Sequence, residues 1–416
     1  MSEDMTAARA DLLAIYLAAL EAVNGQRCVA QALARTDFTG PLYVVAVGKA
    51  AAAMYAGAQQ ALAGQIAEAL VITKAGHADG LCPNNRLRLL EAGHPWPTQA
   101  SLAAGEALLA LMAAAPAEAQ FLFLISGGAS SLVEVLPPGV ALADLHRLNH
   151  WLLGSGLDIY AMNHVRKALS CIKGGRLAQR LAGRKAVTLL ISDVPGDDPA
   201  TIGSGLLVAE SERGAVADLE LPAWVVALMA RGPALPLPGD VCFDSVEVVL
   251  VASLAEARRA AAAKGRALGY AVFEEEVVLR GDALDVACRL SREMTGGPAG
   301  LHIWGGETTV KLPEQPGRGG RNQALALRAA MALAGVENVL LLAAGTDGSD
   351  GPTRDAGALV DGGTLGRGEA QGWCAAERLA AADSGTFLAA SGDLIRTGPT
   401  GTNVMDLVLG LKWPQG

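Results

Sequence analysis

Short apolar runs recur along the chain, most followed by longer Ala/Leu-rich segments of helical period, and this alternation constrains the fold more than any other feature. The runs are LYVVAV (42–47), LVIT (70–73), FLFLI (121–125), VTLLI (187–191), VEVVLVA (246–252), LHIW (301–304) and VLLLAA (339–344). NQALALRAAMALAG (322–335) is one of the intervening segments. Strands that lack polar alternation are buried on both faces, so the pattern predicts α/β layers on largely parallel sheets. Composition agrees. Hydrophobic residues make up 51% and aromatics 4%, so Ala, Val, Leu and Ile fill the interior and the 50 glycines fall mainly to turns and ligand loops.

A length of 416 residues exceeds one ordinary core and predicts two domains of roughly 200 residues. The aperiodic, proline-rich ARGPALPLPGD (230–240) suits a linker and sets the expected division at 1–238 and 239–416. The opening MSEDMTAARADLLAIYLAALEAV carries early acids and no basic n-region, with Leu13, Tyr16, Leu20 and Val23 at helical spacing. It reads as an amphipathic helix rather than a secretion signal. A net charge of -9 argues against nucleic acid and anionic membrane, and no apolar stretch is long enough to predict a span. Cys28, Cys82, Cys171, Cys242, Cys288 and Cys374 show no metal spacing, which predicts buried free thiols in a reducing cytoplasm.

Five strands end in small-residue or charged loops: VGKA, SGGASS, SDVPGDD, GGETT and GTDGSDG. Ligands of open α/β sheets bind beyond the carboxyl ends of strands, so five such loops predict a shared cleft. Gly48 lets the chain turn out of its strand, and Lys49 stands near a helix start, where an ammonium and free N–H groups bind an anion together. Ser126, Gly127, Gly128, Ser130 and Ser131 offer close backbone approach and hydroxyl donors. Asp193 is placed to take a proton from a substrate hydroxyl or to hold Mg²⁺ through water, while Asp197 and Asp198 are equally turn or cap residues. Arg318 and Arg321 sit in a glycine loop with Gly319 and Gly320 that runs into a helix, a setting suited to a phosphoryl group. TGPTGTNVMDLVLGL (397–411) has the same form, with Thr402 or Asn403 as N-cap of an expected helix.

The acidic loop after the last apolar run holds Asp347, Asp350, Asp355 and Asp361. It lacks the EF-hand order and occurs once, so calcium is disfavoured. A magnesium–nucleotide site leads over a solvated turn, because Mg²⁺ takes one or two carboxylates plus substrate phosphates. No HExxH and no GxGxxG after a strand is present, which weakens a zinc enzyme and a dinucleotide-dependent reductase.

The blocks VGKAAAAM, AGHPWP, LISGGASSL, MNHVRKALSCIKGGRLA, ISDVPGDD, GGETTV, GRGGRNQALAL, GTDGSDGPTRDAGA and TGPTGTNVMDL, from about Val44 to Val408, together resemble the glycerate 2-kinase family. Its C-terminal part is called the MOFRL domain. The resemblance implies a Rossmann-like N-terminal α/β domain, a second α/β domain and an active site in the interdomain cleft. It further implies phosphorylation of D-glycerate to 2-phosphoglycerate by ATP with Mg²⁺. By motif, Lys49 and Arg321 would hold substrate and stabilise the transferring phosphoryl group, and Asp193 would orient or deprotonate the glycerate hydroxyl. Gly48, Ser126, Gly127, Gly128, Ser130, Gly319 and Gly320 would line the crevice, with Glu307, Asn322 and Asn403 supporting ligand and Asp347 and Asp350 the metal. The implied partners are D-glycerate and ATP, with no nucleic acid or membrane and with a homodimer left open. Leu206 stands where relatives often have proline, Ala168 where many have histidine, and Ala161 near a frequent glutamate. Two alternatives therefore stay beside the kinase: an NAD(P)H-dependent hydroxypyruvate reductase, and a metabolite-binding protein without turnover.

Overall fold

The computed structural model describes residues 3–414 apart from 63, 79, 158 and 211–219. The chain divides into two compact units, Gly25–Ala252 and Met1–Asn24 together with Ser253–Gly416. In the first unit β1 (Leu42–Val47), β2 (Ile66–Lys74), β3 (Leu87–Ala92), β4 (Gln120–Ile125), β5 (Ala186–Ile191) and β6 (Val246–Ala252) form one sheet. Its order is β3-β2-β1-β4-β5-β6, and every pair is parallel. All of β1 is buried, as its unbroken apolar run requires. Val45, Val47, Ile72, Phe121, Phe123 and Leu108 meet in the core. Val47 is in register with both Ile72 and Ile125, so β1, β2 and β4 end at one level. The strand order reverses between β1 and β4, which opens a crevice at their carboxyl ends.

The division falls after Ala252 rather than near residue 238. VEVVLVA pairs with β5 as the sixth strand, which keeps it in the first unit. The proline-rich stretch is no free linker either. Arg176, buried beneath it, donates to the carbonyls of Pro233 and Ala234 as well as to those of Lys167 and Ser170.

In the second unit β7 (Val272–Glu274), β8 (Gly300–Gly306), β9 (Val339–Gly345), β10 (Gly357–Asp361), β11 (Leu394–Ile395) and β12 (Asp406–Lys412) are ordered β11-β10-β9-β12-β8-β7. Only β7 and β8 run parallel, and every other pair is antiparallel, so the expectation of largely parallel sheets holds for the first unit alone. The cause is connection length. Residues 346–356 carry no helix, so β10 returns beside β9 in the opposite direction. DLVLGLK, expected as a helix, is instead the strand between β9 and β8, and Asn403 is no N-cap. A short run buried on both faces cannot be told from a helix by its period.

The helix Glu3–Ala22 belongs to the second unit, where it packs on the helix Leu254–Ala267 and on β9 and β12. Its buried stripe includes Leu12, Tyr16, Ala19 and Leu20, with Val23 buried just past its end, while Leu13 lies at the surface. Arg9 bonds Asp361 and, at 2.8 Å, Asp393. Arg367 forks onto both Asp361 oxygens at 3.0 Å and onto Asp393. Asp361 and Asp393 are both 2% exposed, so two buried carboxylates are matched by two guanidiniums. Among the described residues no helix is long and apolar enough to cross a membrane. All six cysteines are free, but only Cys28 is buried; Cys82 and Cys374 are exposed, contrary to the expectation of buried thiols.

Burial opposes the charge of Asp361, yet the bonds from Arg367 and the Gly363 N–H outweigh it and lower the pKa. A depressed carboxylate pKa contributes stability that is present above its unfolded value and is lost as pH falls through the folded one. Arg367→Met should therefore cost ~2–4 kcal/mol at pH 7 by leaving buried carboxylates half-paired. Urea midpoints from pH 6 down to pH 3 should fall less steeply in the variant than in the wild type. Parallel curves would remove the Arg367 bridge as the source of acid sensitivity.

Candidate functional site

At the crevice of the first sheet the loops after β1 and β4 interlock. Gly48 has φ 132°, and a Cβ there would lie 2.1 Å from Ser126 Oγ and 2.6 Å from the Ser126 carbonyl oxygen. Only glycine fits. The Lys49 N–H donates to the Gly127 carbonyl at 2.9 Å, the Ala50 N–H to Ser126 Oγ at 3.1 Å, and the Thr73 hydroxyl to the Gly48 carbonyl at 3.0 Å. Ser126 and Gly127 thus hold the lysine's backbone. Gly128, at φ 84°, leaves room for the Lys49 stem, since a Cβ there would be 3.4 Å from Lys49 Cγ and 3.0 Å from His94 Cδ2. The half-buried Lys49 sits two residues before the helix Ala51–Ala61. Asp193 follows β5, the strand next to β4, just after the buried Ser192. Asp198 is spent locally, accepting from the Ala200 N–H and the Thr201 hydroxyl.

Beside Gly128 and Ser130 lies a cavity of about 390 Å³, walled also by His94, Trp96, Asn149, Arg166 and Lys173. Lys173 Nζ donates to Glu134 Oε2 at 2.5 Å and to the Ser130 carbonyl at 2.6 Å, and both side chains are buried. The Ser130 and Ser204 hydroxyls are 2.6 Å apart. Loop reading from sequence passed over Glu134, Arg166 and Lys173. The available signal was a lone acid in LVEVL and a lysine between Ile172 and Gly174, each locally unfavourable. The departures from the family pattern fit their surroundings. Leu206 is buried in the core and its carbonyl accepts from the Leu177 N–H, Ala161 is buried, and the Ala168 carbonyl abuts Gly232.

The second unit gathers charge at the carboxyl ends of β8 and β9 and the amino end of the antiparallel β12. Arg321 opens the helix Arg321–Ala332. It forks onto Asp406, Nε to Oδ2 at 2.6 Å and Nη2 to Oδ1 at 3.0 Å, and its Nη1 is 2.6 Å from Glu307 Oε1. Burial opposes this charge, but Asp406, with Glu307 and Asp350, outweighs burial and raises the pKa. Asp350 caps the same helix, accepting from the Asn322 N–H at 3.1 Å and the Gln323 N–H at 2.8 Å. Asn322 is itself buried against that carboxylate. Gly320 is obligatory, because a Cβ there would lie 2.3 Å from Asp350 Cγ, and a Cβ on Gly319 would meet Ser384 Oγ at 2.6 Å. Asp406 was missed in the sequence because its strand was read as a helix.

The four acids of the loop therefore have four fates. Asp347 closes its own turn, accepting from the Ser349 N–H and hydroxyl. Asp350 caps the helix, Asp355 pairs with Arg318 and Arg396, and Asp361 joins the Arg9–Arg367 network. Thr346 is laced to the segment before β12, where its hydroxyl donates to the Met405 carbonyl and accepts from the Val404 N–H, with Asn403 buried alongside. Among the described residues no group of three His, Cys, Asp or Glu side chains is placed to hold a metal ion alone. The structure brings Gly48, Lys49, Ser126, Gly127, Gly128 and Ser130 together in one unit, and Glu307, Gly319, Gly320, Arg321, Asn322, Asp347 and Asp350 in the other.

Residues 11–221 match the domain of unknown function DUF4147, and residues 300–406 match the MOFRL family. A D-glycerate 2-kinase of Thermotoga maritima is 37% identical, over 94% of this chain and 95% of that protein. A glycerate 2-kinase of Pyrococcus horikoshii is 33% identical over 90% and 88%. A protein of Agrobacterium vitis, provisionally named a hydroxypyruvate reductase, is 40% identical over 88% and 86%. The crystal structure of a glycerate kinase from Thermotoga maritima superposes with a TM-score of 0.82 at 35% identity, covering 97% of this chain and all of that one.

Burial, with the Asp406 carboxylate, pushes Asp350 up to about 7 against the two N–H bonds and Arg321 that pull it down. An acid whose folded pKa is raised holds its proton more tightly when folded, so stability should fall as pH rises through the window from about 4 to about 7. Between pH 5 and pH 8 the wild type should lose more stability to urea than Asp350→Asn, which cannot ionise. An equal loss in both would assign the pH dependence to other groups.

Proposed function

The chain belongs to the glycerate 2-kinase family, and from that premise we propose that it transfers the terminal phosphoryl group of ATP to the 2-hydroxyl of D-glycerate, giving 2-phosphoglycerate and ADP. The observation that carries this reading is Lys49 held over Gly128 at the β1/β4 crevice, its backbone fixed by Ser126 and Gly127. Phosphoryl transfer asks a protein for positioning and charge neutralisation rather than covalent chemistry. A lysine whose main chain is locked before substrate arrives needs no reorganisation as charge moves onto the phosphoryl oxygens.

Lys49 neutralises and orients the phosphoryl group, and Arg321, preset by its fork onto Asp406, is the second cation of the reaction. Asp193, beyond β5, orients the attacking hydroxyl and takes its proton. Gly128 and Ser130 bound the acceptor's space. Both Asp350 oxygens are committed to the helix cap, so of the two carboxylates assigned to a metal Asp347 is the better supported ligand. This donor set suits a Mg²⁺ that arrives with its nucleotide and keeps phosphate and water ligands. Bound there, the ion would neutralise negative charge on the nucleotide's phosphates.

The strand order of the first sheet is one that dinucleotide enzymes also use, but its loops do not favour a nicotinamide cofactor. Gly48, Lys49 and Ala50 lack the glycine spacing that admits a pyrophosphate. β2 ends in Thr73 and Lys74, where an acid would hold the ribose, and the Thr73 hydroxyl is engaged by Gly48. These features count against hydroxypyruvate reduction.

Phosphorus NMR of protein with MgATP and D-glycerate should show 2-phosphoglycerate, and oxidation of NADH with hydroxypyruvate should be absent. No phosphorylated product from folded protein would overturn the kinase. Lys49→Ala and Arg321→Lys should each lower kcat by about 10²-fold or more with circular dichroism unchanged. Asp193→Asn should lower kcat and remove the acid limb of its pH profile, whereas an unaltered profile would take the proton-accepting role from Asp193.

A further inference from the structure

The cations around the first unit's cavity are not equally matched. Lys173 is cancelled by Glu134 at 2.5 Å. Lys167 is cancelled by Glu210 at 3.2 Å, whose other oxygen takes His164 at 2.7 Å. Arg166 has no carboxylate partner among the described residues. Its Nε donates to Asn149 Oδ1 at 3.1 Å and its Nη1 to Asn163 Oδ1 at 3.3 Å, both neutral amides, and Nη2 has no partner among those residues. Burial lowers its pKa, as expected of a half-buried guanidinium with no carboxylate beside it to offset the lost solvation. Such a group is costly in the empty protein and is repaid when an anion joins it.

We propose that Arg166 is the anchor for the carboxylate of the hydroxy-acid acceptor, and that it sets the preference for acids over neutral polyols. The inference rests on the kinase reading for the identity of the acid. Arg166 lines the cavity together with Gly128, the residue over which the Lys49 stem lies, so the cavity that would take the acid shares a wall with the loop that carries the lysine assigned to the phosphoryl group. Leu145, buried in the cavity wall, lowers the polarity beside the guanidinium and strengthens its attraction to a carboxylate. The planar fork matches a carboxylate in two parallel bonds. Charge also selects the ligand. With Lys173 and Glu134 cancelling, the single charge of Arg166 matches a monoanion, whereas a triphosphate brings several negative charges to one cation.

The test is calorimetric titration of wild type, Arg166→Met and Arg166→Lys with D-glycerate, with its uncharged amide D-glyceramide, and with ATP. Each ligand is titrated alone, and the acceptors also beside a non-hydrolysable ATP analogue. Arg166→Met should weaken D-glycerate by about 30-fold or more while D-glyceramide and ATP stay within about threefold, and Arg166→Lys should recover part of the loss. The ratio of acid to amide affinity does not depend on the fraction of protein folded, and Arg166→Lys keeps the comparison open if the methionine variant does not fold. Unchanged glycerate affinity, an equal loss for acid and amide, or a loss confined to ATP would each overturn the anchor. No glycerate binding to wild type under either condition would overturn it as well. Arg166-dependent binding without formation of 2-phosphoglycerate would sink the kinase reading and leave the anchor standing.

Discussion

The absence of a side chain at Gly48 is the constraint on which the first unit's chemistry turns. A single methyl there would collide with the Ser126 hydroxyl and carbonyl, so the loops after β1 and β4 can interlock only because nothing separates them. Once they do, three hydrogen bonds fix the course of the chain through Lys49, and the lysine stem is laid over a second glycine, Gly128. The sheet makes this meeting inevitable. β1 and β4 are adjacent and end in register, yet their following segments leave in different directions, which holds the crevice open above them.

The second unit uses a different economy. Five of its buried carboxylates are matched by a helix terminus or a guanidinium: Asp350 by the N–H groups of Asn322 and Gln323, Asp406 by Arg321, Asp355 by Arg318 and Arg396, and Asp361 and Asp393 by Arg9 and Arg367. Such pairing offsets a desolvation penalty more than it adds stability, and it specifies one arrangement of the loops. Arg321 gains most from it. Asp406 grips one edge of the guanidinium and Glu307 reaches the other, so the arginine is oriented before any ligand arrives.

Much of this was legible in the sequence where the signal was local. The strands β1, β4, β5, β6, β8 and β9 announce themselves as apolar runs, and Gly48, Lys49, Gly128 and Arg321 stand at strand or helix ends where such residues need a reason. What was hidden depended on distant partners. β12 reads like a helix until β8 and β9 flank it, and Asp406 was lost with it. The acidic loop looked like one site because its aspartates are close in sequence, but Asp355 and Asp361 are held by Arg396 and Arg367 from later segments. Arg166 was obscured by Lys167 beside it, since only the folded chain shows which of the two cations lacks a matching acid.

The place of β12 has a consequence for the order in which the chain takes shape during synthesis. β8 and β9 do not bond to each other; both bond to β12, which is translated after them, and the helix Glu3–Ala22 rests partly on that same strand. The first unit, whose strands all lie between residues 42 and 252, has its whole sheet available once β6 emerges. The second has an early helix and two inner strand edges waiting for residues 406–412. Until those arrive, edges that are interior in the finished protein are open to pairing with other chains. The most hazardous interval for this protein thus lies between the emergence of β9 and that of β12, when one unit can already be complete and the other still lacks the strand at its centre.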